Sequence, residues 1–204
     1  MAKSSAAGLL TSVDSMFTTQ EERDNAQRSY VTDLPIAEIS DFPDHPFKVR
    51  MDEEMEQMVE SVRERGVLSP VLVRPMPDGG YQMVSGHRRK FASELAELPT
   101  VPCIVRELTD DEAIIIMVDS NLQRERVLPS EKAFAYKMKL DAMRRQAGRP
   151  SKNNSATVLQ NFEGKTSREI LAEQSGESHE QIRKYIRLTN LVPELLDMVD
   201  NTVL

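Results

Sequence analysis

One glycine between an apolar strand and a helix that begins with two arginines restricts the fold of this chain more than any other feature. Residues 80–84 have the pattern of a β-strand and lead through Gly86 into a helix predicted from His87 to about Ala96. Glycine lets the backbone approach a ligand closely, and a helix start presents unpaired N–H groups and a positive dipole end. Arg88 and Arg89 add charged groups that bind oxyanions bidentately. The segment therefore predicts either a phosphate site or a tight turn with two solvated arginines, and these residues alone leave both open.

The segments around this turn alternate between short strands and helices. We predict an edge strand at 34–39, a helix with a methionine-lined face from 51 to its stop at Gly66, strands at 70–74 and 81–84 joined by a turn at 78–80, a strand at 101–105 and a helix at 110–121. This alternation predicts a small α/β unit, with too little length for a doubly wound sheet. Cys103 lies in an apolar strand and is expected to be a packed small hydrophobe.

Composition favours a soluble protein of the reducing cytoplasm with no membrane partner. No apolar stretch approaches the roughly 20 residues of a membrane span, and a single cysteine excludes an intramolecular disulfide. The net charge is −7, but residues 131–190 carry 12 Lys and Arg against 7 Asp and Glu. Residues 1–130 carry 14 against 23. A basic segment within an acidic chain predicts a polyanion partner for that segment.

Two short helices joined by a tight turn are predicted within the basic segment. Thr166 and Glu169 have the spacing of a capping box, and Ser178 and Gln181 repeat it after a turn that contains Gly176. This arrangement fits a helix-turn-helix at 166–189, and a generic two-helix hairpin of an all-α domain is the alternative. Upstream, a helix begins at Pro129 and residues 148–164 are predicted to be a linker or mobile loop.

A helix-turn-helix places its second helix in the major groove of DNA. Outward residues near the start of that helix read base edges, and cations at its flanks contact phosphates. The candidate base-reading residues are Ser178, His179, Gln181, Arg183 and Lys184. The candidate phosphate contacts are Lys165, Arg168 and Arg187, with Thr166 and Ser167 beside them.

The order of three motifs resembles the ParB/Noc family of DNA-partition proteins, over about residues 31–200. Residues 66–75, Gly-Val-Leu-Ser-Pro-Val-Leu-Val-Arg-Pro, resemble the family's GVLQP motif and the strand that follows it. Residues 86–89, Gly-His-Arg-Arg, resemble its GERR motif, and residues 121–124, Asn-Leu-Gln-Arg, resemble the end of its ENLQR motif. Three motifs in order make a more specific signal than any one of them.

This resemblance implies a CTP-dependent DNA clamp, a homodimer that loads at a palindromic DNA site and closes its N-terminal domains when CTP binds. It implies Mg²⁺ bound with the CTP, with Asn121 and either Asp119 or Ser120 as candidate ligands. It also implies a location in the cytoplasm on the nucleoid or a plasmid, and a partner ATPase that residues 1–17 would contact. The nucleotide-binding residues it implies are Gly66, Ser69, Gly86, His87, Arg88, Arg89, Asn121 and Arg124.

The chain departs from the family's motifs at three positions. His87 stands where GERR has its acid, Ser120 where ENLQR has its acid, and Ser69 where GVLQP has its glutamine. Asp119 lies one residue before Ser120, but a shift of one residue on a helix turns a side chain by about 100°. We therefore expect CTP binding with weak CTPase activity at most.

The predicted fold class is α+β. A flexible segment at 1–30 precedes a ParB/sulfiredoxin-like mixed α/β nucleotide-binding domain at 31–128, and an all-α DNA-binding domain follows at 129–204. The leading function is a sequence-specific DNA-binding protein of a chromosome or plasmid partition system. The alternatives are a ParB-like transcriptional regulator without nucleotide turnover, a DNA nuclease on the same scaffold, and a sulfiredoxin-like ATP-using reductase. The reductase needs a cysteine beside its phosphate loop, where this chain has Ser85.

Overall fold

A mixed sheet with helices is followed by a helical region in the computed structural model, which describes residues 30–124, 126–147 and 166–201. This order confirms the predicted α+β class. The segment at 1–29 and the linker at 148–164 lie outside the described residues. In chain order the elements are β1 (Val31–Pro35), a 3₁₀ turn (Ile36–Glu38), β2 (Ile39–Ser40), α1 (Glu53–Arg65), β3 (Val71–Pro75), β4 (Tyr81–Ser85), α2 (His87–Leu95), β5 (Thr100–Val105), α3 (Asp110–Leu122), α4 (Pro129–Ala147), α5 (Ser167–Ser175), α6 (His179–Leu188) and α7 (Pro193–Asp200).

The five strands among the described residues form one sheet in the order β1-β5-β3-β4-β2. β3 pairs antiparallel with β4 and parallel with β5, and β1 pairs antiparallel with β5. The hairpin between β3 and β4 turns at Gly79 and Gly80, whose φ angles are +93° and +72°. Glycine adopts this left-handed region without steric cost, so the turn predicted at 78–80 is confirmed.

The single edge strand predicted at 34–39 is wrong, because two separate strands occupy that segment. Pro35 ends β1, since proline has no N–H to donate to a ladder. The N–H of Ile36 instead donates to Pro99 O at 3.1 Å, and a 3₁₀ turn follows. β2 then pairs parallel with β4, so these consecutive strands lie at opposite edges of the sheet.

Helix α3 is packed on two sides. One face lies with Val84 of β4 in a core that includes Met117 and Ala135, and Ile115 joins a second core with Tyr136 of α4. The Thr109 hydroxyl and Glu112 carboxylate form a capping box at its start. Hydrophobic packing therefore continues across residue 128, and the division of the chain there stays a prediction.

The beginning of α4 is held by the end of α7. The Asp200 carboxylate accepts a hydrogen bond from Ser130 N at 2.9 Å and another from Ser130 Oγ at 2.5 Å. An acidic acceptor at a helix N-terminus satisfies otherwise unpaired N–H groups and complements the dipole. Pro129 begins this helix, as predicted.

Cys103 lies inside the sheet core with Val71 and Val101, and it is fully buried. Its Sγ lies 3.2 Å from Val101 O. The prediction of a packed small hydrophobe is confirmed. Within the described ranges, none of the helices has the length and apolar character needed to cross a bilayer.

Candidate functional site

The turn between β4 and α2 requires glycine at position 86. Gly86 has φ +110°, and a Cβ built there would lie 2.6 Å from Val71 Cγ1 and 2.9 Å from Val71 Cβ. Any side chain would therefore push against β3 as well as strain the backbone. The residue is the N-cap of α2 and makes no side-chain cap, so the first N–H groups of the helix are left for a ligand or water.

Arg89 ties this turn to the loop that follows α1. Its Nη1 donates to Ser69 O and Pro70 O, each at 2.7 Å. Gly66, the C-cap of α1 with φ +71°, begins that loop. Burial lowers the pKa of the Arg89 guanidinium. Arg89 thus links the Gly86 turn to Ser69, another of the predicted nucleotide residues.

Arg88 points to the start of α1. It forms ion pairs with Asp52 Oδ1 at 3.3 Å and Glu54 Oε2 at 3.2 Å. Its Nε is buried and has no hydrogen-bond partner among the described residues. Two carboxylates thus hold the guanidinium next to the Gly86 turn, with one donor unused. Asp52 and Glu54 were not among the predicted site residues, because only the fold brings the start of α1 to Arg88.

His87 is buried rather than solvated. It is 6% exposed, and its ring stacks on His45 with the centroids 3.9 Å apart. Neither ring nitrogen has a partner in the described part of the chain. Burial, followed by the neighbouring His45, lowers the pKa of His87 to about 3, so the imidazole is neutral at neutral pH. Sequence reasoning missed His45, because a lone histidine in a proline-containing loop gives no signal.

A cavity of about 230 Å³ lies beside this histidine pair. Lys90 lies in its wall and binds Asp41 Oδ1 at 2.7 Å and Glu94 Oε1 at 3.6 Å. Phe47 and Phe91 supply apolar surface. Lys90 and Asp41 were also absent from the predicted site, and only their fold-dependent proximity to His87 reveals them.

The end of α3 faces the same region through Arg124. Its guanidinium lies 5.7 Å from the centroid of the Phe47 ring, and burial, followed by the positive charge of Arg88, lowers its pKa. Asn121 is buried, and its Nδ2 donates to Met117 O at 2.7 Å. The positive charge of Arg88 therefore acts on Arg124 at the end of α3.

The candidate metal ligands are engaged in other contacts. Ser120 Oγ donates to Met117 O at 3.0 Å, and the Asp119 carboxylate forms an ion pair with Lys139 of α4. The described ranges contain no cluster of three or more His, Cys, Asp or Glu side chains arranged to hold a metal ion. These residues do not fit a resident Mg²⁺ site, because that ion needs several free oxygen ligands.

The helix pair α5–α6 has the predicted turn and the predicted capping box of α5, whereas only the Ser178 half of the second predicted box is formed. Thr166 and Glu169 form the capping box of α5, Gly176 ends that helix with φ +68°, and Ser178 Oγ accepts from Gln181 N at 3.1 Å. Ile170 and Ile182 are buried against α4. The turn is three residues long, from Gly176 to Ser178, as helix-turn-helix motifs require.

Most predicted DNA-binding residues lie exposed on this pair. Thr166 and Ser178 are N-caps, and Ser167 is half-buried at the first position of α5. Lys165 lies outside the described residues. The exposed side chains are Arg168 on α5 and His179, Gln181, Arg183, Lys184 and Arg187 on α6.

A mixed α/β sheet region with a glycine–arginine turn, followed by two short helices joined by a three-residue turn, defines the class of fold to which this chain belongs. The family described as the ParB N-terminal domain matches residues 20–122, about half of the chain. The chain belongs to this family, and the resemblance found in its motifs is confirmed.

Named relatives are chromosome-partitioning proteins. Spo0J of Thermus thermophilus is 34% identical over 170 residues, which cover 83% of this chain and 55% of the relative. ParB of Caulobacter vibrioides is 41% identical over 115 residues, which cover 55% of this chain and 38% of the relative. The chain thus spans about half the length, or less, of these curated relatives.

One similar solved structure contains DNA. C-terminally truncated ParB from Caulobacter crescentus, complexed to the centromeric parS site, is 30% identical with a TM-score of 0.52. The match covers 85% of this chain and 79% of that chain.

Proposed function

We propose that this chain binds a specific, palindromic DNA site through α5 and α6 as part of a chromosome or plasmid partition system. The exposed, capped helix α6 is the observation that carries the proposal. It has the geometry of a recognition helix, and its outward face includes Arg183, Lys184 and Arg187. The similar Caulobacter crescentus protein is complexed to its parS site, which supports DNA binding by this chain.

Selection of duplexes from a random pool, followed by footprinting, tests this proposal. Arg183→Ala should then lower affinity for the selected duplex about 10- to 100-fold and lower affinity for random duplex much less, because a base contact is worth about 1–3 kcal/mol. Arg63→Ala removes one exposed cation from α1 and serves as the control. Equal losses on both duplexes would contradict a base-reading role for Arg183.

We further propose that CTP binds at the Gly86 turn and closes the chain around DNA as a homodimeric clamp. The glycine that tolerates no Cβ, the helix start and the cations Arg88, Arg89 and Arg124 support a phosphate at this place. The guanidinium groups would hold the phosphates, and the neutral His87 would face the adjoining cavity. Mg²⁺ would arrive with the nucleotide rather than occupy a preformed site.

Calorimetric titration of the purified chain with CTP tests the nucleotide site. Arg88→Ala should weaken CTP binding about 10-fold or more, because a charge-assisted hydrogen bond is worth about 1.5–3 kcal/mol. Arg63→Ala removes the same charge from the exposed face of α1 and should bind CTP as the wild type does. An Arg88→Ala variant with unchanged affinity would refute the phosphate assignment.

Turnover of CTP should be weak or absent. His87 is a buried neutral imidazole and Ser120 is an uncharged hydroxyl, so neither supplies the carboxylate that the family's motifs have there. A phosphate-release assay with CTP and Mg²⁺ measures this, and rapid Mg²⁺-dependent release contradicts the expectation.

A DNA-binding regulator without a nucleotide switch is the second candidate, and the ion pair between Asp119 and Lys139 favours it. Titration of CTP with and without the selected duplex separates the two functions. If the chain is a clamp, DNA should change its affinity for CTP. If it is a regulator without a nucleotide switch, it should not bind CTP with or without DNA. Incubation of supercoiled DNA with the purified chain and Mg²⁺ or Mn²⁺ tests the nuclease alternative, which predicts cleavage of the DNA.

Association with nucleoid or plasmid DNA belongs to the same proposal, as does contact between residues 1–17 and a partner ATPase. Residues 1–17 lie outside the described part of the chain. Pull-down of a purified candidate ATPase by the full chain, compared with a chain lacking residues 1–17, tests that contact.

A further inference from the structure

A groove between α4 and α6 extends the basic surface beyond the helix-turn-helix. It encloses about 240 Å³ and has an apolar floor that includes Leu140 and Ile182. Its charged lining residues are Lys137, Asp141 and Arg144 on α4, Arg168 on α5, and Arg183 and Arg187 on α6. Five cations therefore line the groove with one carboxylate, in a chain whose net charge is −7.

The charges of this groove are only weakly neutralised by ion pairs. Arg144 pairs with Asp141 at 3.8 Å and Arg183 with Glu180 at 3.7 Å, and all four side chains are about half exposed or more. Such surface pairs are worth little in water. Lys137 and Arg187 have no ion-pair partner among the described residues. The groove therefore keeps a local excess of positive charge that fits an extended anion.

The spacing of the cations matches a nucleic-acid backbone. Lys137 and Arg144 are seven residues apart on α4, so they lie on one face about 10 Å apart along the axis. Along the duplex axis a DNA strand advances about 3.4 Å per phosphate, so with α4 running along that axis the two cations would reach phosphates about three steps apart. Arg183 and Arg187 form the facing wall one helical turn apart.

We propose that α4 is part of the DNA-binding surface, with Lys137 and Arg144 holding the phosphate backbone beside the recognition helix. This inference rests on the proposed DNA binding by α5 and α6, and it adds two contacts that sequence reasoning did not include. The two residues carry no base specificity, since phosphate contacts position a protein without reading sequence. Their effect is therefore equal on all duplexes.

Binding of a short fluorescent duplex of random sequence to the full chain, at salt concentrations from about 50 to 200 mM, tests the inference. The double variant Lys137→Gln/Arg144→Gln should reduce the slope of log affinity against log salt by about 1.8, and each single variant should reduce it by about half as much. The selected duplex should show the same reductions.

The double variant Arg63→Gln/Arg65→Gln on α1 removes the same net charge from exposed positions away from the groove and should leave the slope unchanged. Circular dichroism checks that every variant is folded. An unchanged slope in the α4 variants, or an equal reduction in the α1 control, overturns the inference. Absence of DNA binding by the wild type would instead refute the proposed function itself.

Discussion

Lys139 is a buried cation that forms an ion pair with a carboxylate of another helix. The residue is 1% exposed on α4, and its Nζ donates to the Asp119 carboxylate of α3 and to Gln174 Oε1 of α5 at 2.7 Å. Three helices therefore meet at one ammonium group. The loss of Asp119 should cost far more stability than the loss of an exposed acid.

Asp119→Asn keeps the shape of the side chain and removes its charge. Removal of one partner from a buried ion pair costs about 3–5 kcal/mol. The Asp119 side chain is 44% exposed and Gln174 remains in place, so water and the amide offset part of that cost. We expect a loss of about 2–3 kcal/mol in the free energy of unfolding. Lys139→Met refills the space without a charge and should cost less, about 1.5 kcal/mol or below.

Urea unfolding of the full chain, followed by circular dichroism, measures these differences. With a slope of about 2 kcal/mol per molar urea, Asp119→Asn should lower the midpoint by about 1–1.5 M. Asp141→Asn is the control, because its partner Arg144 is exposed, and its effect should stay near the 0–1 kcal/mol range of surface pairs, about 0.5 kcal/mol.

A wild-type midpoint for Asp119→Asn would refute the reasoning, and so would a larger loss for Lys139→Met than for Asp119→Asn. The same variant informs the metal assignment. If Asp119 served as a Mg²⁺ ligand, its replacement would weaken Mg²⁺-dependent CTP binding and leave the unfolding midpoint unchanged.

Two further predictions concern the turn before α2. Gly86→Ala combines a left-handed φ with a clash against Val71 and should lower the free energy of unfolding by about 2–4 kcal/mol. Gly79 has φ +93° and open space around it, so Gly79→Ala should lower that free energy by only about 1 kcal/mol. The urea midpoints of the two variants measure the difference. The lowered pKa of His87, about 3 against 6.5, means that the unfolded chain binds a proton first, so stability is lost as pH falls from 6.5 towards 3. Between about pH 7 and about pH 5 the wild type should therefore lose about 2 kcal/mol more stability than His87→Gln. The same pH dependence in both proteins would show that the ring is solvated.

Local signals in the sequence were sufficient to predict most of the helices and the hairpin. Some features depend only on residues close together in the sequence, so the sequence predicts them. They are the helix end at Gly66, the capping box at Thr166 and the turn at 78–80. The division of the segment around Pro35 into β1 and β2 was not predictable from the sequence. The two strands pair with different partners, β5 and β4, which lie more than 40 residues further along the chain.

The nucleotide site shows the same limit. Gly86, Arg88 and Arg89 were predicted as a unit, and they are neighbours at one turn. The sequence predicted only that His87 begins a helix, and its burial depends on the loop containing His45, which folds over it. Asp119 was considered as a metal ligand because of its place in a motif. Its pairing with Lys139 depends on how α3 and α4 pack, which no local pattern encodes.

Cys103 makes the chain well suited to site-directed labelling. It is the only cysteine in the sequence, and burial raises the pKa of its thiol to about 11, so little of the reactive thiolate forms at neutral pH. A cysteine introduced at an exposed position of α6 would react with a spin label or fluorophore while the native thiol remains protected. Labelling of α6 is therefore possible without first replacing the native residue.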